Sequence, residues 1–122
     1  MSSCPCGGKS YASCCEIVHQ QRNACDAKTL MRSRYSAYVF KLEDYLLATW
    51  HPRTRPAQLA LAADETVWLG LAIKTFLPLS ANSACVEFVA RYQISGRVQR
   101  LHERSRFMYE NGAWFYLEGE FL

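Results

Sequence analysis

No apolar run in these 122 residues approaches the roughly 20 residues that a membrane helix needs. No membrane partner is therefore expected. No charged and apolar leader precedes the first cysteines, so no secretory signal is expected and the chain is read as cytoplasmic. There is no phosphate-binding glycine loop, no G-x-S-x-G elbow and no H-E-x-x-H pair. That removes the enzyme classes most readily marked in sequence. An internal repeat and a low-complexity tract are also missing. Charge of one sign is scarce: 14 basic and 11 acidic residues leave a formal +3. Strong non-specific binding to nucleic acid is not expected from so small an excess.

Apolar and aromatic residues are abundant, at 50% and 13% of the chain. A real core is within reach, and the length suits one compact domain with a small appendage.

Four of the six cysteines fall in the first fifteen residues, MSSCPCGGKSYASCC. Cys4 and Cys6 face Cys14 and Cys15 across a seven-residue loop that holds Gly7, Gly8 and Lys9. A tetrahedral zinc ion needs four convergent soft donors, and thiolates are its preferred ones. Pro5 stiffens the first pair, and the glycines let the backbone fold behind Cys6. The layout is that of a zinc knuckle over residues 1–20, with a disulfide knot as the alternative. Four thiolates on one Zn2+ bring the net charge to about +1. His19 is four residues past Cys15 and is read as a solvated linker histidine rather than a ligand. Cys25 and Cys85 are read as free thiols. The main core is not expected to include the four cysteines, so the main domain should survive chelation.

Glu16 to Cys25 reads as a polar linker. Asp26 then looks like an N-cap. After it Leu30, Met31, Tyr35, Tyr38 and Val39 recur at helical spacing, with Arg32 and Arg34 pointing elsewhere. A second helix is expected from about Glu43 to Trp50, ended by Pro52. Thr54 to Ala63 reads as a turn or short helix. From Glu65 four aromatic and β-branched stretches follow, separated by Ser80–Asn82, Ser95-Gly96 and Asn111-Gly112. Such short connections predict an antiparallel meander, and Glu110-Asn111-Gly112 is a strong hairpin signal. Helices first and sheet second is an α+β order. It allows a cone, a ferredoxin-like fold or a simple two-layer fold.

Strand phase places Val86, Phe88, Ala90, Tyr92 and Ile94 on the inner face. It also sends Glu103 inward with Leu101, Ser105 and Phe107. A buried carboxylate needs a partner, and Arg32 or Arg34 is the natural one. The alternative is a catalytic acid or base in a pocket with Tyr92. His51, at a helix end near where a cone would open, reads as a capping residue or a general base. Arg100, His102, Arg104 and Arg106 form an outward stripe with Arg91 and Arg97. The stripe reads as a solvated sheet face, with RNA phosphates as the other reading.

CPCGGKSYASCC resembles the SEC-C zinc motif found at the end of the secretion ATPase SecA. It has Gly7-Gly8-Lys9 where that motif usually has Gly-Ser-Gly-Lys, which shortens the loop without removing a ligand. MRSRYSAY (residues 31–38), DYLLATWHP (44–52), EFVARY (87–92) and ERSRF (103–107) look like the bacterial YchJ family. The resemblance covers nearly the whole chain. It implies a SEC-C knuckle followed, over residues 26–122, by a cone-shaped nuclear transport factor 2-like (cystatin-like) domain. Some members carry a second SEC-C motif, which is missing here up to Leu122. The resemblance leaves the biochemical role open. The leading expectation is a non-enzymatic zinc adaptor that docks a macromolecule. By analogy with SecA, which binds the chaperone SecB and the ribosome, the partner is an export or translation component. A small acid–base enzyme or ligand binder in the cone is the alternative, and RNA binding the weaker one. A homodimer through strand edges fits such cones.

Overall fold

Most of the polar stretch 16–25, expected as a linker, is helical, and it packs the knuckle onto the main domain. This helix, α1, spans Cys15–Gln21 and ends at Arg22 in the left-handed region, whose N–H reaches the Val18 carbonyl at 2.7 Å. It buries little apolar surface, chiefly Cys15 and part of Val18, so hydrophobic periodicity does not mark it. The structure is a computed structural model that describes residues 3–122. Met1 and Ser2, the start of the 1–20 knuckle segment, lie outside the described residues.

Asp26 caps α2 (Ala27–Val39) as its position predicts, accepting from the Thr29 N–H at 2.7 Å. The short helix α3 (Glu43–Ala48) follows, ending two residues before the expected Trp50. A single 3-10 turn at Leu61–Ala63 closes the Thr54–Ala63 stretch. Four strands complete the chain: β1 (Val67–Ser80), β2 (Ser83–Ile94), β3 (Arg97–Glu110) and β4 (Ala113–Phe121). They form an antiparallel meander in the order β1-β2-β3-β4. Both the Ser95-Gly96 and Asn111-Gly112 turns put two successive residues at positive φ, the signature of a type I′ hairpin.

The helices pack on one face of this sheet, with the cysteine cluster at the N-terminal end. Val86, Phe88, Ala90, Ser105 and Phe107 are buried on the inner face in the expected phase. Ile94 is the exception. At the end of β2 it is 42% exposed.

Nearly all of α2 is covered, since the sheet lies on one side and α1 and α3 on the other. This explains why Ser33, Arg34 and Ser36 are buried together with Leu30 and Met31. It also overturns the expectation that the cysteines stand apart from the core. Cys4, Cys6 and Cys15 belong to the same buried cluster as Leu30, Val86, Phe88 and Phe107. The segment after α3 adds to the sheet edge. The His51 N–H donates to the Tyr116 carbonyl at 2.7 Å, and the Tyr116 N–H donates to the Thr49 carbonyl at 2.8 Å. The outer edge of β4 is thereby partly capped.

Candidate functional site

The knuckle loop turns back at Cys4, whose carbonyl accepts from the Gly7 N–H at 2.9 Å and whose N–H donates to the Gly8 carbonyl at 3.1 Å. The turn needs Gly7 at φ +104 and leaves no space at Gly8. α1 then starts at Cys15 and carries the second pair of sulfurs back toward the first. All four Sγ atoms of Cys4, Cys6, Cys14 and Cys15 lie within 4.8 Å of one another. The Cys6–Cys14 sulfurs are 3.6 Å apart and the Cys14–Cys15 sulfurs 4.0 Å. A tetrahedron with metal–sulfur bonds of ~2.3 Å has sulfur–sulfur edges of about 3.8 Å. A disulfide would require about 2.05 Å, and all four are free thiols. The missing loop residue thus leaves the four donors convergent, and they can hold a metal ion.

The electrostatics of the metal-free thiols point the same way. The Cys6 thiol is lowered to about 4, first by the hydrogen bond from Cys15 and then by the Gly8 amide, Cys4 and Arg32. The cost falls on its neighbours. Burial, with Cys6 alongside, raises Cys14 to about 11, and the bond to Cys6 together with burial pushes Cys15 up. Thiols this close hold one negative charge readily and more only with a cation among them.

Two neighbours on α2 complete the site. The Ser36 hydroxyl donates to Cys15 Sγ at 3.3 Å and lies 3.5 Å from Cys4 Sγ. Arg32 lies beside Cys14 and Cys15, and its guanidinium is held charged first by the Cys6 thiolate. Arg32 is therefore a partner of the cysteines, not of Glu103. Gly8 sets the packing limit, because a Cβ there would sit 2.8 Å from Cys14 Sγ and 3.4 Å from Cys4 Cβ. Gly8→Ala is expected to weaken metal binding by about 10- to 100-fold, the range for disturbed sites of this kind. Competition against a chromogenic chelator measures it. Unchanged affinity would mean that the loop relaxes freely.

His19 is not a solvated linker residue. Its Nε2 donates to the Ser33 carbonyl at 2.7 Å, so the Tyr11 hydroxyl must donate to its Nδ1 at 2.8 Å. Burial lowers its pKa and favours this neutral form. It pins α1 to α2 rather than binding the ion. Nothing in its polar sequence surroundings signals this.

The remaining expected site residues separate into two places. Arg34 and Glu103 line one cavity of about 220 Å3 between α2 and the sheet, with Tyr38, Trp50, Trp68 and Tyr116. They do not form the expected ion pair. Among the described residues no arginine comes within the 4.0 Å ion-pair distance of Glu103. Glu103 instead accepts from Ser105 and faces Tyr116, whose hydroxyl is raised by burial and then by Glu103. Gly119 lies directly over the Glu103 carboxylate, where a Cβ would collide with it. Arg34 is 3% exposed and donates through Nη1 to the Leu46 carbonyl at 2.8 Å and to Thr49 Oγ1 at 2.7 Å. Its guanidinium carbon lies 5.1 Å from the Trp50 ring centre and 4.7 Å from that of Tyr116. The Tyr92 ring lies tilted against Trp68 with ring centres 5.5 Å apart, outside the cavity lining.

His51 is neither an exposed cap nor a free base. It is buried, its Nδ1 accepts from the Arg53 N–H at 3.1 Å, and its Nε2 therefore donates to Glu110 at 2.6 Å. That bond ties the end of α3 to the β3–β4 hairpin. The outward stripe is interleaved with acids: Arg104 pairs with Glu120 at 3.0 Å, Arg106 with Glu118 at 3.1 Å, and His102 with Glu87 at 2.8 Å. Among the described residues, no helix is long and apolar enough to cross a membrane.

Known proteins resemble this chain in sequence and in shape. The family model described as the YchJ middle NTF2-like domain matches residues 26–119. A UPF0225 protein of Methylibium petroleiphilum is 50% identical over 118 residues, covering 96% of this chain and 87% of the relative. A UPF0225 protein of Xanthomonas campestris is 52% identical over 118 residues, covering 94% and 92%. The solution structure of a SEC-C motif containing protein from Rhodopseudomonas palustris superposes with a TM-score of 0.86 at 34% identity, covering 99% of both chains. A crystal structure of a SEC-C motif containing protein from Psychrobacter arcticus gives 0.83 at 29% identity, covering 97% of this chain and 81% of that one. The helices on a meander sheet, the N-terminal cysteine cluster and these matches together place the chain in the YchJ (UPF0225) family.

Proposed function

We propose that this protein is a cytoplasmic zinc-binding adaptor whose SEC-C knuckle docks a component of protein export or translation. The observation that carries the reading is the convergence of four thiols within 4.8 Å, with no disulfide among them. Zinc is the metal that all-sulfur tetrahedral donor sets most commonly hold in structural sites, and such sites are closed to substrate. Every donor position is taken by protein, so the ion orders a surface and does no chemistry. That surface is the exposed part of the knuckle loop, including Gly7 and Lys9, together with Ile17 on α1. An open groove of about 540 Å3 adjoins it, lined by Tyr11, Glu16, His19 and Asp44 among others.

The partner class rests on analogy with the SecA motif and on the metal-ordered surface. Purified ribosomes and purified SecB are the partners to test. Zinc-loaded protein is expected to co-sediment with one of them, and a Cys14→Ser, Cys15→Ser double variant should lose that retention. If neither partner retains the loaded protein, the docking reading fails, while metal content measured on the same sample reports on zinc separately.

A further inference from the structure

The cavity under α2 is remote in purpose from the cysteines, and its groups are not those of an ordinary core. Arg34 is its centre. Of five N–H groups on a guanidinium, the two on Nη1 are committed to Leu46 and Thr49. Trp50 and Tyr116 pack together against one side of it, their ring centres 5.1 and 4.7 Å from the guanidinium carbon and 5.0 Å from each other. The other edge lines the cavity beside the Tyr38 hydroxyl, with no carboxylate within ion-pair distance among the described residues. A guanidinium this buried carries its charge with only neutral partners. An anion that reached the free edge would be bound by charge-assisted, bidentate hydrogen bonds in a low-dielectric setting.

Size and wall chemistry narrow the anion. An apolar cavity of ~150 Å3 takes benzene. By the same packing a space of 220 Å3 takes about nine non-hydrogen atoms. The walls are rings and flat apolar surface from Tyr35, Trp68, Phe88 and Leu101, which suit a planar ring. Glu103 also faces this space. It accepts from Ser105 and retains lone pairs for another donor. A second carboxylate placed against it would be repelled, whereas a hydroxyl would be held.

We propose that the cavity binds a small aromatic carboxylate carrying a ring hydroxyl, with the carboxylate on Arg34 and the hydroxyl donating to Glu103. The reading does not depend on the zinc proposal, because every group it uses lies on α2, α3, the sheet or the segment after α3.

The test is a titration of the full zinc-loaded chain with 4-hydroxybenzoate, benzoate and phenol, followed by the indole N–H resonances. Trp50 and Trp68 line the cavity and Trp114 does not. 4-Hydroxybenzoate is expected to shift Trp50 and Trp68 while Trp114 stays in place. Phenol, which lacks the anion, is expected to bind at least tenfold more weakly. In Glu103→Gln the affinity for 4-hydroxybenzoate should fall about tenfold, while that for benzoate changes less than about twofold. Ala90→Leu, which fills the cavity, should abolish all three shifts. The wild-type series decides the matter even if a variant fails to fold. No shift of Trp50 and Trp68 at millimolar ligand would overturn the proposal and leave Arg34 a structural cation. Phenol binding as tightly as the acid would overturn it too, since the space would then select for apolar shape alone.

Discussion

Stripping the metal is expected to lower the melting temperature of the whole chain by about 15 °C or more, not to unfold the knuckle alone. A ligand that binds only the folded state adds to stability by mass action. A structural zinc in a small peptide is held by roughly 10–16 kcal/mol of apparent free energy. In a domain of this size about 4 °C of melting temperature accompanies each kcal/mol, so several kcal/mol suffice. The reach of the effect comes from packing. Cys4, Cys6 and Cys15 lie in one buried cluster with Leu30, Met31, Val86 and Phe107. Ser36, in the middle of α2, donates to Cys15. Without the ion, Cys14 and Cys15, whose thiols are raised by burial and by Cys6, must take up protons. α2 then loses the cover on its outer side. Because those thiols release protons when metal binds, acidification has the same sense as chelation: stabilisation is present at neutral pH and lost as the pH falls. Calorimetry of reduced, untagged protein with and without chelator measures the change, alongside metal analysis expected to give about one zinc per chain. A melting curve indifferent to chelation, or reduced protein with no zinc, would sink the account.

How much of this was readable beforehand depended on whether a residue's neighbours lie along the chain or across it. The Asp26 cap, the turn at Asn111-Gly112 and the inner face of β3 depend on local geometry or on a strict period of two, and each stands where the pattern places it. The four cysteines were equally plain, since their spacing alone brings them close. What escaped was set by α2 being covered from both sides. An amphipathic pattern describes a helix with one wet face, and on such a reading Arg32 and Arg34 belong to the solvent side. Here the knuckle and α3 take the place of solvent, so Ser36 and Ser33 are interior, and Arg34 is enclosed between α2, the end of α3 and the sheet. One signal was available: Leu30, Arg34 and Tyr38 are spaced by four, so Arg34 shares a helix face with two residues already read as core. His19 and His51 escaped for a different reason. Each gains its role from a single distant acceptor, Ser33 or Glu110, which no periodicity reports.

Arg34→Ala should be the most damaging single substitution outside the cysteines that the polar groups of the fold offer, at about 3–5 kcal/mol. Two hydrogen bonds from a charged donor are lost, each worth roughly 1.5–3 kcal/mol. The Leu46 carbonyl and Thr49 hydroxyl that received them are buried at the end of α3, so the tie between α2 and α3 goes with them. The stacking on Trp50 and Tyr116 disappears, and the existing cavity grows by the volume of a long side chain. Removing an isolated buried charge recovers part of its desolvation cost, which keeps the sum within that range. Glu103→Gln is a contrasting case. Ser105 and Tyr116 can donate to an amide oxygen as they do to the carboxylate, so the loss should stay below about 1 kcal/mol. Arg32→Ala should leave the metal-free chain within about 0.5 kcal/mol of the parent and show its effect as faster metal loss to a chelator. Thermal melts of the three variants, each with and without chelator, separate these roles. If Arg34→Ala melts like the parent while Glu103→Gln does not, then the carboxylate and not the guanidinium ties the helices to the sheet, and the assignment of Arg34 is wrong.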